Sequence, residues 1–115
     1  MNGVRLSGVR LYVWQRLTAA IMAPFVVLHL VTILYAVNAG LSAGEILART
    51  QGSLFWGFFY SVFVLAAAVH AAIGLRAILI EWACLTTKIA GRVAASFAFV
   101  LVVLGLRAVV AVVLS

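Results

Sequence analysis

Three long stretches of this chain, about residues 15–37, 54–82 and 93–114, are too apolar to form the surface of a water-soluble domain. Each reaches the roughly 20 residues that an α-helix needs to cross a hydrocarbon core about 30 Å thick. Backbone in lipid must satisfy its own hydrogen bonds, and stretches of this length do so as helices. Composition agrees: 68% of the 115 residues are apolar, 9% are charged, and the mean hydropathy is +1.31. A domain of this size could not cover that much apolar surface in water. The expected fold class is therefore an all-α membrane protein, with three transmembrane helices in a single domain over residues 1–115. Long linkers, low-complexity tracts and repeats are absent from the sequence. The first stretch exceeds a signal-peptide h-region of roughly 7–15 residues, so it is expected to be retained, although Ala36-Val37-Asn38-Ala39 supplies small residues after it.

Eight basic and two acidic residues give a formal charge of +6. Arg5, Arg10, Arg16, Arg49, Arg76, Lys88, Arg92 and Arg107 are scattered among apolar runs rather than gathered on one solvated face, so the expected partner is membrane lipid and not nucleic acid. Arg5, Arg10 and Arg16 precede span one, and Lys88 and Arg92 lie between spans two and three, whereas the connection 38–53 carries only Glu45 and Arg49. The positive-inside rule then puts the N-terminus in the cytoplasm and the C-terminus outside. Tyr12, Trp14 and Trp82 would mark the inner interface, and Tyr35, Phe55, Trp56, Phe58, Phe59 and Tyr60 the outer one. Span two, counted from Ser53 as N-cap to Trp82, would be about 45 Å long and should tilt or protrude at its cytoplasmic end. The single cysteine, Cys84, excludes an internal disulfide and reads as a small apolar residue near a helix end.

Against this background the run His70-Ala-Ala-Ile-Gly74-Leu75-Arg76, followed by Glu81-Trp82, is unusual. Ionisable groups in a bilayer cost a few kcal/mol each and normally face a bundle interior, a cofactor or water. Measured from Trp82 and Trp14, His70 would lie roughly 18 Å deep and His29 roughly 22 Å deep at 1.5 Å per residue. Gly74, Ala77 and Glu81 share a helical face with His70. That face suits a flat ligand such as haem, with the imidazole on iron and the small residues leaving room for a porphyrin edge. Interhelical hydrogen bonding or packing among Ala66, Ala67, Ala68, Ala71 and Ala72 explains His70 as well.

The chain resembles the cytochrome b membrane-anchor subunits of succinate dehydrogenase and fumarate reductase. In that family a second span carries His-x-x-x-Gly-[Ile/Leu]-Arg and then an acidic and an aromatic residue, as here, and the first span opens similarly to Gln15-Arg16-Leu17-Thr18-Ala19. The resemblance implies a multi-pass subunit of the inner (cytoplasmic) membrane that transfers electrons between succinate or fumarate and quinone. It would bind haem b, shared with a second membrane-anchor subunit, and dock an iron-sulfur subunit and a flavoprotein subunit, which hold the iron-sulfur clusters and FAD. His70 matches the axial haem ligand, and Arg16 an arginine near the quinone and a haem propionate; Arg76 follows Gly74 in the motif. Gln15 departs from the family's histidine, and Tyr12 stands where some members place a serine. Arg16, Thr18, Glu81, Tyr12 and Trp82 are the candidate quinone-binding residues. His29 lies outside the single-haem pattern but resembles a ligand of members with two haems; alternatively it packs near Pro24, whose missing N–H frees the Ala20 carbonyl. Arg107 either snorkels to the headgroups or meets a propionate of a second haem. Two other readings suit the same residues: a haem-free anchor of the same complex, and a small transporter subunit in which His29, His70 and Glu81 relay protons.

Overall fold

A computed structural model describes residues 2–114, with side chains from residue 8 onward, and every regular element in it is helical. Arg5, part of the orientation argument, lies outside the described side chains. The elements are α1 (Asn2–Asn38), α2 (Ala43–Thr50), α3 (Leu54–Glu81) and α4 (Thr87–Val113). Three of them contain stretches long and apolar enough to cross a membrane: Gly8–Asn38, Leu54–Glu81 and Thr87–Val113. The chain is thus a helical membrane protein with three candidate spans, drawn out to 55 × 25 × 23 Å.

The expected boundaries hold for α3, where the Ser53 hydroxyl accepts from the Trp56 N–H at 3.3 Å and caps the helix start. They shift for α4, which begins at Thr87 rather than about 93. Thr86 is the reason, since its Oγ1 accepts from the Ile89 N–H at 3.3 Å. Lys88 and Arg92 consequently sit in the first two turns of α4, not in a loop. Helix α2 breaks up the connection 38–53, where the apolar pattern predicts no element. Its signal is Ser42-Ala43-Gly44-Glu45, a serine with glutamate three residues on, and the Ser42 hydroxyl accepts from the Glu45 N–H at 3.2 Å.

Helix α3 is the central element, packing against α4 on one side and α1 on another. Small residues let α3 and α4 approach closely: Ala68, Ala72, Ala90 and Ala94 are all buried. Gly105 faces the Val64 side chain so tightly that a Cβ there would overlap it. At the far end, α2 and the turn after it tie down the last turn of α4. The Thr50 hydroxyl donates to the Val112 carbonyl at 2.7 Å and the Gly52 N–H to the Val113 carbonyl at 2.6 Å. These bonds satisfy two carbonyls that a helix end leaves without intrahelical partners. Gly52 makes its bond from a left-handed conformation, φ +69°, that glycine takes without steric cost.

The turn between α3 and α4 places Cys84 just past a helix end, as expected, whereas Phe59 in the first turns of α3 corrects an expectation. Cys84 is exposed and adopts φ 57°, a left-handed conformation, while the Leu85 N–H reaches back to the Leu79 carbonyl at 3.1 Å. Phe59, read as an interfacial anchor, is buried, with its ring 4.7 Å from that of Phe25. Phe55 and Phe58 remain exposed as expected of residues facing lipid.

Candidate functional site

The α1–α3 seam is antiparallel, and its side-chain contacts fix the register. Thr18 meets His70, Gln15 meets Gly74, Phe25 meets Phe59 and Phe63, and His29 meets Tyr60 and Phe63. This register places Trp14 and Trp82 at different levels, about eight residues or 12 Å apart along the axis. They cannot serve as a common depth marker. Since His70 sits at the level of Thr18, and His29 is eleven residues further along α1, the two histidines are about 16 Å apart in depth, not the few ångströms that the tryptophans imply.

His70 is half-buried, with Nδ1 3.4 Å from the Thr18 hydroxyl oxygen. Thr18 itself is 4% exposed and directs its hydroxyl at carbonyls of its own helix, Trp14 at 2.7 Å and Gln15 at 3.1 Å. A hydroxyl has one proton, and both carbonyls only accept, so the oxygen faces His70 with its lone pairs. Nδ1 is then the protonated nitrogen, and Nε2 is left as a neutral donor of electrons with no hydrogen bond among the described residues. This is the tautomer and the orienting contact that a metal-ligating imidazole requires. The donor set at His70 therefore fits haem iron. No group of three or more His, Cys, Asp or Glu suited to a metal ion occurs among the described residues.

The space beside Gly74 differs from expectation. A Cβ at this position would meet Gln15 Nε2 at 3.6 Å, so the side chain of α1 fills the notch that a porphyrin edge was expected to use. Gln15 belongs to the same polar seam, one turn from Thr18, and its Oε1 is buried without a hydrogen-bond partner. Gln15 departs from the family's histidine, and its spacing from Thr18 is the signal that it faces the same way.

The quinone candidates divide. Thr18 is committed to the helix interface and to His70, whereas Tyr12, Arg16, Glu81 and Trp82 are all exposed near one end of the bundle. Arg16 lies over the Tyr12 ring, its guanidinium carbon 5.3 Å from the centroid, which braces the cation. No contact joins this pair to Glu81 or Trp82. Arg76 is half-buried on α3, and Arg107 is exposed on α4 two residues past Gly105.

His29 occupies a different setting. Its ring meets Tyr60 and Phe63 edge-on at 5.8 and 5.9 Å, and its buried Nδ1 has no hydrogen-bond partner. It lines a cavity of about 620 Å³ whose other walls come from α2, α3 and α4.

A family model described as Succinate dehydrogenase/Fumarate reductase transmembrane subunit matches residues 4–113, nearly the whole chain. Neither the curated proteins nor the solved structures gave a match.

Proposed function

Because the chain belongs to the succinate dehydrogenase/fumarate reductase transmembrane subunits, we propose that it is the cytochrome b anchor of such a complex, holding one haem b through His70. It is a multi-pass membrane subunit of the succinate dehydrogenase/fumarate reductase family, which favours the anchor reading over the transporter reading. The observation that carries the haem assignment is the Thr18 oxygen against His70 Nδ1, which leaves Nε2 for iron. Haem supplies a one-electron centre within the membrane when bound. His70 and Arg76 are the residues of this chain that would hold the group, Arg76 as the cation for a propionate, and a further ligand would be supplied by a partner anchor subunit.

At the exposed end, Arg16 presents a cation held in place by Tyr12, suited to donating to a quinone oxygen as negative charge develops on it. The Tyr12 hydroxyl and the Trp82 indole N–H are further donors, and the Glu81 carboxylate can accept and release a proton. Since these groups are exposed, the remaining walls of the quinone site come from the iron-sulfur subunit and the second anchor, with the flavoprotein carrying FAD beyond them. Lys88 and Arg92, exposed at the start of α4, would dock those subunits on the cytoplasmic face of the inner membrane. Arg107 reaches the opposite headgroups by snorkelling.

Adding succinate to the oxidised, purified complex tests this reading. Dithionite added afterwards should bring up a b-type absorption band whatever the haem potential; a complex that reduces quinone with succinate but shows no such band even with dithionite would be a haem-free anchor instead.

A further inference from the structure

We propose that the groove between α1 and α4, roofed by α2, is a binding site for one anionic phospholipid, with its tails in the cavity and its phosphate on Arg49. The assignment is independent of the haem at His70. The cavity of about 620 Å³ has the size of an ordinary ligand site and is walled mainly by aliphatic groups, among them Ile46, Leu47, Val64, Ala108 and Val112. A second cavity of about 320 Å³ adjoins it, sharing His29, Ile46, Thr50 and Tyr60 and ending at Arg49, Tyr35 and Trp56. An apolar chamber thus leads into an aromatic mouth with a cation on its rim.

Shape selects among occupants. The aliphatic wall along α4 runs from Gly105 to Val112, about 10 Å at 1.5 Å per residue, a third of the roughly 30 Å over which a transmembrane segment would pack. The bonds from Thr50 and Gly52 to the end of α4 hold α2 over the opening, so a transmembrane segment cannot run through it. The paired tails of one lipid can enter from the side, and their length along the wall is less than the half-thickness of a bilayer core, about 15 Å.

Chemistry selects the headgroup. Arg49 forms no ion pair among the described residues; its guanidinium rests on the Tyr35 ring, 5.4 Å from the centroid. Neither cavity is lined by a carboxylate. The Tyr60 hydroxyl makes no hydrogen bond among the described residues, and His29 has a buried ring nitrogen without a partner, whereas the Thr50 hydroxyl is already spent on Val112. The unused polar groups are a cation and two ring groups able to donate, which calls for a ligand rich in acceptors: phosphate at Arg49 and ester carbonyls near Tyr60 and His29.

The test uses the assembled complex, reconstituted in nanodiscs of mixed phosphatidylcholine and phosphatidylglycerol, extracted in mild detergent and analysed for retained lipid by mass spectrometry. The expected result is preferential retention of one phosphatidylglycerol per copy of this chain. Arg49→Gln should lower the preference about fivefold, the effect of one cation at an anionic surface. Ala108→Phe, which fills the chamber, should lower retention of both lipids, while Arg10→Gln at the other end of α1 leaves it unchanged. The haem band monitors assembly in each variant. Equal retention of the two lipids, insensitivity to both Arg49→Gln and Ala108→Phe, a free fatty acid in place of the phospholipid, or a second haem against His29 would each overturn the proposal.

Discussion

The two ends of the α1–α3 seam each hold a histidine, yet only one imidazole is oriented by the chain itself. At His70 a buried threonine with its own proton engaged fixes Nδ1–H and leaves Nε2 available. At His29 the contacts are ring edges of Tyr60 and Phe63, and the buried Nδ1 has no partner. A histidine in a membrane span is thus not by itself a ligand. What distinguishes the two is the second group behind the ring, which selects the tautomer and holds the imidazole against rotation.

The sharpest way to break this comparison is to remove each imidazole in turn. His70→Ala should reduce haem in the purified complex more than tenfold, whereas His29→Ala should leave haem per copy unchanged, as read by pyridine haemochrome assay. Equal losses would erase the distinction. Thr18→Val keeps the shape but removes the acceptor at Nδ1, and should weaken haem retention about 10- to 100-fold in a competition assay with apomyoglobin. Thr18→Ser, which keeps the oxygen, should restore most of it.

Glycines at the two interfaces of α3, one with α4 and one with α1, give a smaller contrast. Gly105→Ala drives a methyl into Val64, and should destabilise the α3–α4 packing by about 1–3 kcal/mol in detergent unfolding. Gly74→Ala meets Gln15 only at ordinary contact distance and should be tolerated with haem content intact. The smallest expected effect is at the α2 end: Thr50→Val removes the hydroxyl bond to Val112 and should cost about 1 kcal/mol in the same assay.

Span number and helix type were legible because apolar length in a membrane leaves few alternatives, and Ser53 marked its helix start through its own side chain. Helix α2 was missed although Ser42 and Glu45 announce it, because eight residues between two spans carry too little apolar periodicity to stand out beside them. His70 was legible as a candidate from its chemistry and from the motif around it. Its partner Thr18 is 52 positions away, and their meeting depends on the α1–α3 register, which no local pattern encodes. The same register defeated the use of Trp14 and Trp82 as one depth marker, since α3 projects beyond the level of Trp14. Gly74 shows the complementary failure. A small residue announces a close approach, but the sequence does not say whether a cofactor or, as here, the side chain of Gln15 comes close.

Haem stoichiometry tests the central claim most directly. Haem b should be quantified against copies of this chain in the wild-type complex, with the oxidised and reduced spectra recorded on the same sample. One haem per copy is the predicted result, because only His70 has a group behind it that prepares the imidazole for iron. Two haems per copy would make His29 a ligand despite its unpartnered nitrogen, and none would reduce the Thr18–His70 pair to a packing contact.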